Sequence, residues 1–294
     1  MKPTIALVLS GGGARGVAHI GVIEELLARG YHISSVAGTS MGSLIGGVFA
    51  LGKMQDFKEW MYTLDRSKTF YLVDFTLSSE GIIKGDKVFQ AIKEFIPDVP
   101  IEELPIHYSA TACNLETGDE VVFKKGSLFD AIRASVSIPS LLTPVRLDDR
   151  ILVDGGIVNN VPVSNIHRTE GDFLLAVDVN ARVPLEEPLS SEGKEEAESS
   201  YLSKFRDFQD YLENFFPKKE DTEKDIDYFD LINRTIGIMT ERITEFNLQQ
   251  NPPDLLIEIS EQSGEIYDFY KAEQLVEIGR HAAIKALDAW EVSP

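Results

Sequence analysis

The pentapeptide Gly38-Thr39-Ser40-Met41-Gly42 constrains the fold more than any other part of this sequence. A short apolar run precedes it and an apolar segment of small residues follows, so the chain passes from a buried strand into a helix within one tight turn. Glycine on either side of the serine lets the neighbouring backbone pass where a Cβ would block it. The pattern predicts a nucleophile elbow that projects the hydroxyl of Ser40 out of the backbone.

A second strand–turn–helix unit lies nearer the N-terminus. The apolar run 4–9 is typical of a buried strand in a parallel sheet. The loop that follows reads Gly11-Gly12-Gly13-Ala14-Arg15-Gly16. Apolar residues then recur at helical spacing at Val17, Ile20, Ile23 and Leu27. Two such units in succession predict a three-layer α/β/α fold with a mostly parallel central sheet.

The glycine-rich loop has two interpretations. Gly11, Gly13 and Gly16 match the spacing of a dinucleotide-binding loop. That kind of site requires an acidic residue about 20 positions later to hold the ribose. No Asp or Glu occurs between positions 26 and 55, which argues against a nucleotide site.

An oxyanion hole is the interpretation that fits better. Backbone N–H groups at the start of a helix are unpaired, and the helix dipole makes that end positive. Such groups stabilise the negative oxygen that forms when a nucleophile attacks an ester. We expect the amides of Gly12 and Gly13 to serve as donors, together with the amide of Met41.

A serine nucleophile also needs a base. Of the five histidines, only His281 lies late enough in the chain for the order found in α/β-hydrolases, and it falls in an amphipathic segment that favours a structural role. Asp154 is the stronger candidate because it ends an apolar strand and precedes Gly155 and Gly156. An Asp-Gly pair also marks hairpin turns, but the polar stretch 159–162 does not continue as a strand.

These motifs together resemble the patatin-like phospholipase family. The resemblance includes the Gly-Gly-Gly-x-Arg-Gly loop, the Gly-Thr-Ser-Met-Gly elbow and the Asp-Gly-Gly segment with Asn-Asn-x-Pro. It also includes Ala134-Ser135-Val136-Ser137-Ile138-Pro139 followed by Pro144-Val145. The similarity covers roughly residues 4–182 with specific motifs and 230–290 more loosely.

The resemblance implies a Ser–Asp dyad without histidine, in which Ser40 is the nucleophile and Asp154 the general base. The residues it places in the oxyanion hole are Gly11, Gly12, Gly13, Arg15, Gly16 and Met41. The glycines that shape the elbow and the base loop are Gly38, Gly42, Gly155 and Gly156. The expected activity is hydrolysis of carboxylic esters of lipids, of phospholipase A or lysophospholipase type, with no metal or cofactor. Acyl transfer is left open as a further reaction.

The dyad requires that the pKa of Asp154 be raised. A free aspartate titrates near 3.9, which makes it a weak base toward a serine hydroxyl. Burial among apolar strand neighbours raises the pKa of a carboxyl group and improves the match. We therefore expect activity to fall on the acid side, with an apparent pKa above the free value.

The sequence predicts one domain over residues 4–290 that carries an acidic insertion at 186–230. The insertion holds 15 acidic and 6 basic residues, and its aromatic residues between 201 and 216 recur at helical spacing. We expect a mobile loop followed by an amphipathic helix that packs on the domain or forms a lid. The alternative function is a regulatory or scaffold protein that binds a partner through this insertion.

Composition limits partners and location. A net charge of −20 disfavours nucleic acid and gives no attraction to anionic lipid surfaces. The single cysteine, Cys113, fits a reducing compartment. No signal peptide and no run of about 18 apolar residues is evident, so we expect a cytoplasmic protein that acts at or near a membrane surface. The oligomeric state is left open.

The sequence also predicts secondary structure for two further segments. Residues 54–105 predict two amphipathic helices with a turn at 81–85. The run 173–179 predicts a buried strand, and its Asp178 is a weaker candidate for supporting the dyad.

Overall fold

The computed structural model describes residues 3–72, 75–78, 81–83, 85–139, 141–185 and 228–292. Contacts group the chain into two units, residues 1–188 with 239–294 and residues 189–238. Within the second unit, the described residues are 228–238, which form the first part of a helix. The predicted amphipathic helix at 201–216, and all of the acidic insertion before residue 228, lie outside the described residues.

A central sheet organises the first unit. The described strands are β1 (Thr4–Leu9), β2 (His32–Thr39), β3 (Phe75–Ser78), β4 (Gly81–Ile83), β5 (His107–Asn114), β6 (Glu120–Phe123), β7 (Val145–Leu147), β8 (Arg150–Asp154), β9 (Phe173–Ala181) and β10 (Leu255–Ser260). Eight of them form one sheet in the order β10-β9-β1-β2-β5-β8-β7, with β6 beside β5, while β3 and β4 form a separate hairpin. Strands β10, β9, β1, β2 and β5 are parallel, and β6, β7 and β8 are antiparallel to their neighbours. The predicted mostly parallel sheet is confirmed.

Helices cover both faces of this sheet. The described helices are α1 (Ala18–Ala28), α2 (Met41–Ala50), α3 (Met54–Tyr62), α4 (Arg66–Leu72), α5 (Asp86–Ile92), α6 (Leu128–Ser135), α7 (Gly156–Asn159), α8 (Tyr228–Gln250) and α9 (Ala272–Val292). Alternate residues of β1 point to opposite faces. Ile5 and Leu7 join a core built with α1, α2 and α9, whereas Ala6 and Val8 join a second core with the segment 161–166. The predicted three-layer α/β/α architecture is confirmed.

Helices α1 and α9 cross at unusually short distance because each contributes a glycine. A Cβ on Gly21 would collide with the carbonyl of Val276, and a Cβ on Gly279 would collide with the carbonyl of Ala18. The backbone of α9 is thereby packed directly on α1, the helix that follows the glycine-rich loop.

Three expectations about local structure are wrong. Among the described residues, the region 54–105 holds three helices, α3 to α5, rather than two. The turn expected at 81–85 contains strand β4, which pairs with β3. Leu27, predicted on the buried face of α1, is 43 % exposed, and Leu26 is buried instead. Val17 lies in a 3₁₀ turn over Gly13–Val17 that precedes the helix, and within α1 the buried apolar positions follow a spacing of three, Ile20, Ile23 and Leu26, which leaves Leu27 outside the buried face.

Among the described residues, no helix combines the length and the apolar character needed to cross a bilayer.

Candidate active site

Ser40 stands at the junction of β2 and α2, where the sequence predicts a nucleophile elbow. Its backbone has φ 53° and ψ −125°, a conformation that L-residues rarely adopt. The turn is tight enough that a Cβ on Gly38 would collide with the backbone of Gly42, and one on Gly42 would collide with the carbonyl of Leu9, the last residue of β1. The two glycines are therefore required by the close approach of β1, β2 and α2.

Asp154 reaches the same region from an antiparallel strand. In the sheet β5 separates β2 from β8, and Asp154 pairs with Ala112 of β5. The amide of Gly156 donates to Oδ1 of Asp154 at 2.7 Å, and the amide of Asp154 donates to the carbonyl of Ser137 at 2.9 Å. Helix α7 follows directly, so the Asp-Gly pair here does not belong to a β-hairpin turn.

The structure brings the two predicted dyad residues together. Asp154 and Ser40 are both buried, at 5 % and 4 % exposure. Burial raises the pKa of Asp154 to about 6, against the opposing effects of hydrogen bonds from the Ser40 hydroxyl and the Gly156 amide. Oδ1 of Asp154 accepts from the Gly156 amide, whereas Oδ2 has no hydrogen bond of regular geometry within the described residues.

The glycine-rich loop is clamped on both sides of its central residues. The amide of Gly11 donates to the carbonyl of Asn160 at 3.2 Å, and the side-chain amide of Asn180 donates to the carbonyl of Gly11 at 2.7 Å. Three residues after Gly11, the amide of Ala14 donates to the carbonyl of Ile266 at 2.9 Å. Three hydrogen bonds from three different segments therefore fix the path of the loop.

The amides of Gly12, Gly13 and Met41 remain available between and beside these clamps. No hydrogen bond involves them in the part of the chain that the structure describes. Gly13 begins the 3₁₀ turn and Met41 begins α2, positions at which backbone N–H groups have no partner within the helix. The Gly11 amide, by contrast, already donates to the carbonyl of Asn160, so Gly11 helps to fix the loop and is not a free donor.

Arg15 and Gly16 support the loop in other ways. The guanidinium of Arg15 donates to Oδ1 of Asn180 at 2.8 Å and to the carbonyl of Gly264 at 3.0 Å. These bonds tie the loop to β9 and to the segment that precedes α9. A Cβ on Gly16 would collide with the side chain of Met41, so Gly16 allows the 3₁₀ turn to pack against α2.

Sequence reasoning missed two residues that hold the site together. The amide of Ser40 donates to the hydroxyl of Ser135 at 2.9 Å, and that hydroxyl donates to the carbonyl of Thr111 at 2.6 Å. Asn180 bridges the loop as described above, and its backbone amide bonds to Oδ1 of Asp178 at 3.0 Å. Ser135 lies in one of the motif segments, whereas Asn180 lies near the end of β9, where no motif marks it.

No histidine occupies the position of a base among the described residues. His19 is fully buried, and its Nε2 donates to the carbonyl of Ser10 at 2.8 Å. Burial lowers the pKa of His19 to about 4, so the ring is neutral at physiological pH. His281 is an exposed residue of α9 and does not line the cavity beside Ser40.

An apolar cavity of about 140 Å³ opens beside the nucleophile. Ser40, Gly13 and Met41 are among the residues that line it, so the elbow and the glycine-rich loop both border the cavity. Apolar side chains from α2, α3, α5, the segment 136–142 and the segment 266–269 form most of the rest. The apolar lining suits a hydrocarbon chain.

The described residues also offer no evident place for a metal. They contain no group of three or more His, Cys, Asp or Glu side chains that could hold an ion.

The arrangement defines an α/β protein with a buried serine at a strand–helix turn, a neighbouring buried carboxylate and an apolar cavity. Comparison with known families specifies the class, because the sequence model of patatin-like phospholipases matches residues 7–166. The chain belongs to the patatin-like phospholipase family, a class of lipid acyl hydrolases.

Individual relatives extend the comparison. An uncharacterized NTE family protein of Mycobacterium tuberculosis is 33 % identical, over 99 % of this chain and 93 % of that protein. A protein named lysophospholipase NTE1 from Scheffersomyces stipitis is 31 % identical, over 60 % of this chain and 12 % of its own length. Among solved structures, VipD from Legionella pneumophila aligns over 98 % of this chain and 67 % of its own, with a TM-score of 0.48 and 14 % identity.

Proposed function

We propose that this protein hydrolyses the carboxylic ester of a lipid, of phospholipase A or lysophospholipase type, through a dyad of Ser40 and Asp154. The observation that carries the proposal is that Ser40 faces the apolar cavity and also contacts a buried Asp154. Family membership supports the reaction class, and the name of the fungal relative supports a lysophospholipid as a substrate to test.

In the first half of the reaction, the Ser40 hydroxyl oxygen attacks the ester carbonyl and its proton passes to the carboxylate of Asp154. We assign Oδ2 as the oxygen that accepts this proton, because Oδ1 already accepts from the Gly156 amide and Oδ2 has no hydrogen bond within the described residues. The carbonyl oxygen becomes negative and accepts hydrogen bonds from the amides of Gly12, Gly13 and Met41. Asp154 then returns the proton to the leaving alcohol as the carbon–oxygen bond breaks, and an acyl-Ser40 ester remains.

In the second half, water attacks the acyl ester while Asp154 accepts its proton. The tetrahedral intermediate again places its oxygen on the backbone amides. Collapse releases the fatty acid, and the proton returns to Ser40. An alcohol in place of water would give acyl transfer by the same steps.

The environment of Asp154 supports a role as base without histidine. With its pKa raised to about 6, the carboxylate remains ionised at neutral pH and is a stronger base than a free aspartate.

Each backbone donor in an oxyanion hole is worth about 2.7–4 kcal/mol of transition-state stabilisation.

The proposal is tested by measuring fatty acid released from a monomeric lysophosphatidylcholine by the wild type, Ser40→Ala and Asp154→Asn. We expect hydrolysis by the wild type and a loss of at least about 10³-fold in kcat for each variant. His281→Ala serves as the control, because this exposed histidine lies outside the cavity, and it is expected to keep full activity. Folded Asp154→Asn with wild-type turnover would remove Asp154 from the mechanism.

A further inference from the structure

The cavity beside Ser40 has a wall that the proposed chemistry does not use. Phe57, Trp60 and Met61 of α3 line the cavity, and α2, which begins directly after the nucleophile, lines another part through Met41 and Leu44. Phe57 and Met61 are almost completely buried, at 1 % and 3 % exposure. The space available to an acyl chain is therefore bounded by fixed side chains of α3.

The wall formed by α3 is two aromatic layers deep. The ring centroids of Phe57 and Trp60 are 5.5 Å apart, and each ring packs on Phe95, at 5.6 Å and 5.4 Å. Phe57 and Trp60 line the cavity, whereas Phe95 does not. Phe57 thus stands between the cavity and Phe95, and removing its ring would extend the cavity toward the second layer.

The volume of the cavity sets an approximate length for the chain it can hold. An apolar protein cavity of about 150 Å³ accommodates benzene, which has six carbons. The present cavity, at about 140 Å³, is of the same size. None of the described residues that line it is charged, so a charged head group would lose its hydration there without compensation.

We infer that this cavity selects esters by the length of the acyl chain, that Phe57 sets the limit at about six carbons, and that the head group stays outside and contributes little. This inference rests on the proposed hydrolase function. Each methylene that the cavity buries should raise kcat/KM by about fourfold. Beyond the limit, further methylenes gain no burial and are opposed by the aromatic wall.

The test uses straight-chain p-nitrophenyl esters of two to twelve carbons, each assayed as a monomer in solution. We expect kcat/KM of the wild type to rise to a maximum near six carbons and then fall. Phe57→Ala should move the maximum to longer chains by two carbons or more. Met61→Phe, which fills the cavity from the same helix, should move it to shorter chains. Opposite shifts from one helix cannot result from general destabilisation.

Phe95→Leu provides the matched control. Phe95 belongs to the same aromatic cluster but lies behind the cavity lining, so this variant loosens the cluster without changing the wall itself. Its maximum should stay at the wild-type chain length even if thermal melting shows a lower stability. A shift equal to that of Phe57→Ala would contradict a direct role for Phe57.

A second experiment tests the head group by comparing hexanoyl esters of glycerol and of glycerophosphocholine. If the head group contributes little, the two kcat/KM values should agree within about threefold, well under the tenfold difference that about 1.4 kcal/mol of head-group interaction would produce. A larger difference, a profile without a maximum, or a maximum that Phe57→Ala leaves in place would overturn the inference while leaving the hydrolase function intact. Absence of turnover with every ester would contradict the proposed function instead.

Discussion

At the scale of single residues, Asp154 is the most informative position, because its burial has opposite consequences for chemistry and for stability. The folded protein holds this carboxyl at a pKa of about 6, whereas an unfolded chain would titrate near 3.9. As pH rises, the unfolded chain therefore loses the Asp154 proton before the folded protein does. Ionisation of Asp154 thus lowers the free energy of unfolding as pH rises above the unfolded pKa.

The first prediction is that Asp154→Asn stabilises the protein at neutral pH. As pH rises from about 4 to 6, the wild type should lose on the order of 2–3 kcal/mol relative to this variant. The side chain of asparagine is similar in shape and can still accept from the Gly156 amide. Thermal melting at pH 7.5 and at pH 4 measures the effect, and a difference that persists at pH 4 would contradict the titration of Asp154 as its cause.

The second prediction concerns Ser135, which we interpret as a positioning residue for the nucleophile. Ser135→Ala leaves the buried amide of Ser40 without its acceptor, a loss of about 1–3 kcal/mol. We expect kcat to fall by about tenfold or more with little change in KM, because the elbow is no longer held in its strained conformation.

Ser137→Ala is the control for this prediction. Ser137 is equally buried and bonds to Arg133 through its hydroxyl, while only its carbonyl contacts the amide of Asp154. Its removal should lower the melting temperature to a similar degree but leave kcat within about twofold of wild type. Equal losses of kcat in the two variants would assign Ser135 a purely structural role.

At the scale of elements, the crossing of α1 and α9 supports the glycine-rich loop. The third prediction is that Gly279→Ala destabilises the fold by about 3 kcal/mol or more, because the added methyl meets the carbonyl of Ala18. Urea denaturation measures the loss. Gly237→Ala in α8 has open space around it and should be neutral or stabilising by up to about 1 kcal/mol. A neutral Gly279→Ala would show that the helices can separate without cost.

The sequence predicted the parts of the fold that depend on local pattern. The run before the elbow and the run 4–9 are predictable as buried strands, because a continuous apolar run followed by a glycine-containing turn is a local signal. The antiparallel direction of β8 was not predictable in this way. It depends on β5 as a partner, and Asp154 comes near Ser40 only through that pairing.

From the sequence, candidate site residues could be predicted only where they lie within a recognisable motif. Ser40, Asp154 and the glycine loop lie in such motifs, and the structure places the two side chains in contact. The amide of Asn180 clamps Gly11 across 169 positions of sequence, and no local pattern reports a contact of that range. The number of helices in 54–105 was missed because short helices and a hairpin alternate there without long periodic runs.

At the scale of the whole molecule, net charge governs the approach to a lipid surface. The chain carries −20 at neutral pH, which opposes binding to anionic membranes over a distance set by the salt concentration. That distance falls from about 30 Å at 0.01 M to about 3 Å at 1 M.

The fourth prediction is a salt dependence that differs between lipid surfaces. Hydrolysis of a hexanoyl ester carried by a phospholipid in anionic vesicles should accelerate as salt is raised from low to high concentration, whereas the rate on zwitterionic vesicles should change little. Fatty acid release measures both rates. Faster hydrolysis on anionic than on zwitterionic vesicles at low salt would contradict repulsion by the net charge and would indicate a local basic surface.

The central claim is that Ser40 is activated by Asp154 without a histidine. Its most direct test is the rate at which a fluorophosphonate probe modifies the wild type, Ser40→Ala and Asp154→Asn, followed by intact mass. We predict a single adduct on the wild type, formed about tenfold more slowly at pH 5 than at pH 8 because Asp154 is mostly protonated below its pKa of about 6. Neither variant should react. Modification of folded Asp154→Asn at the wild-type rate, or of Ser40→Ala at all, would contradict the account.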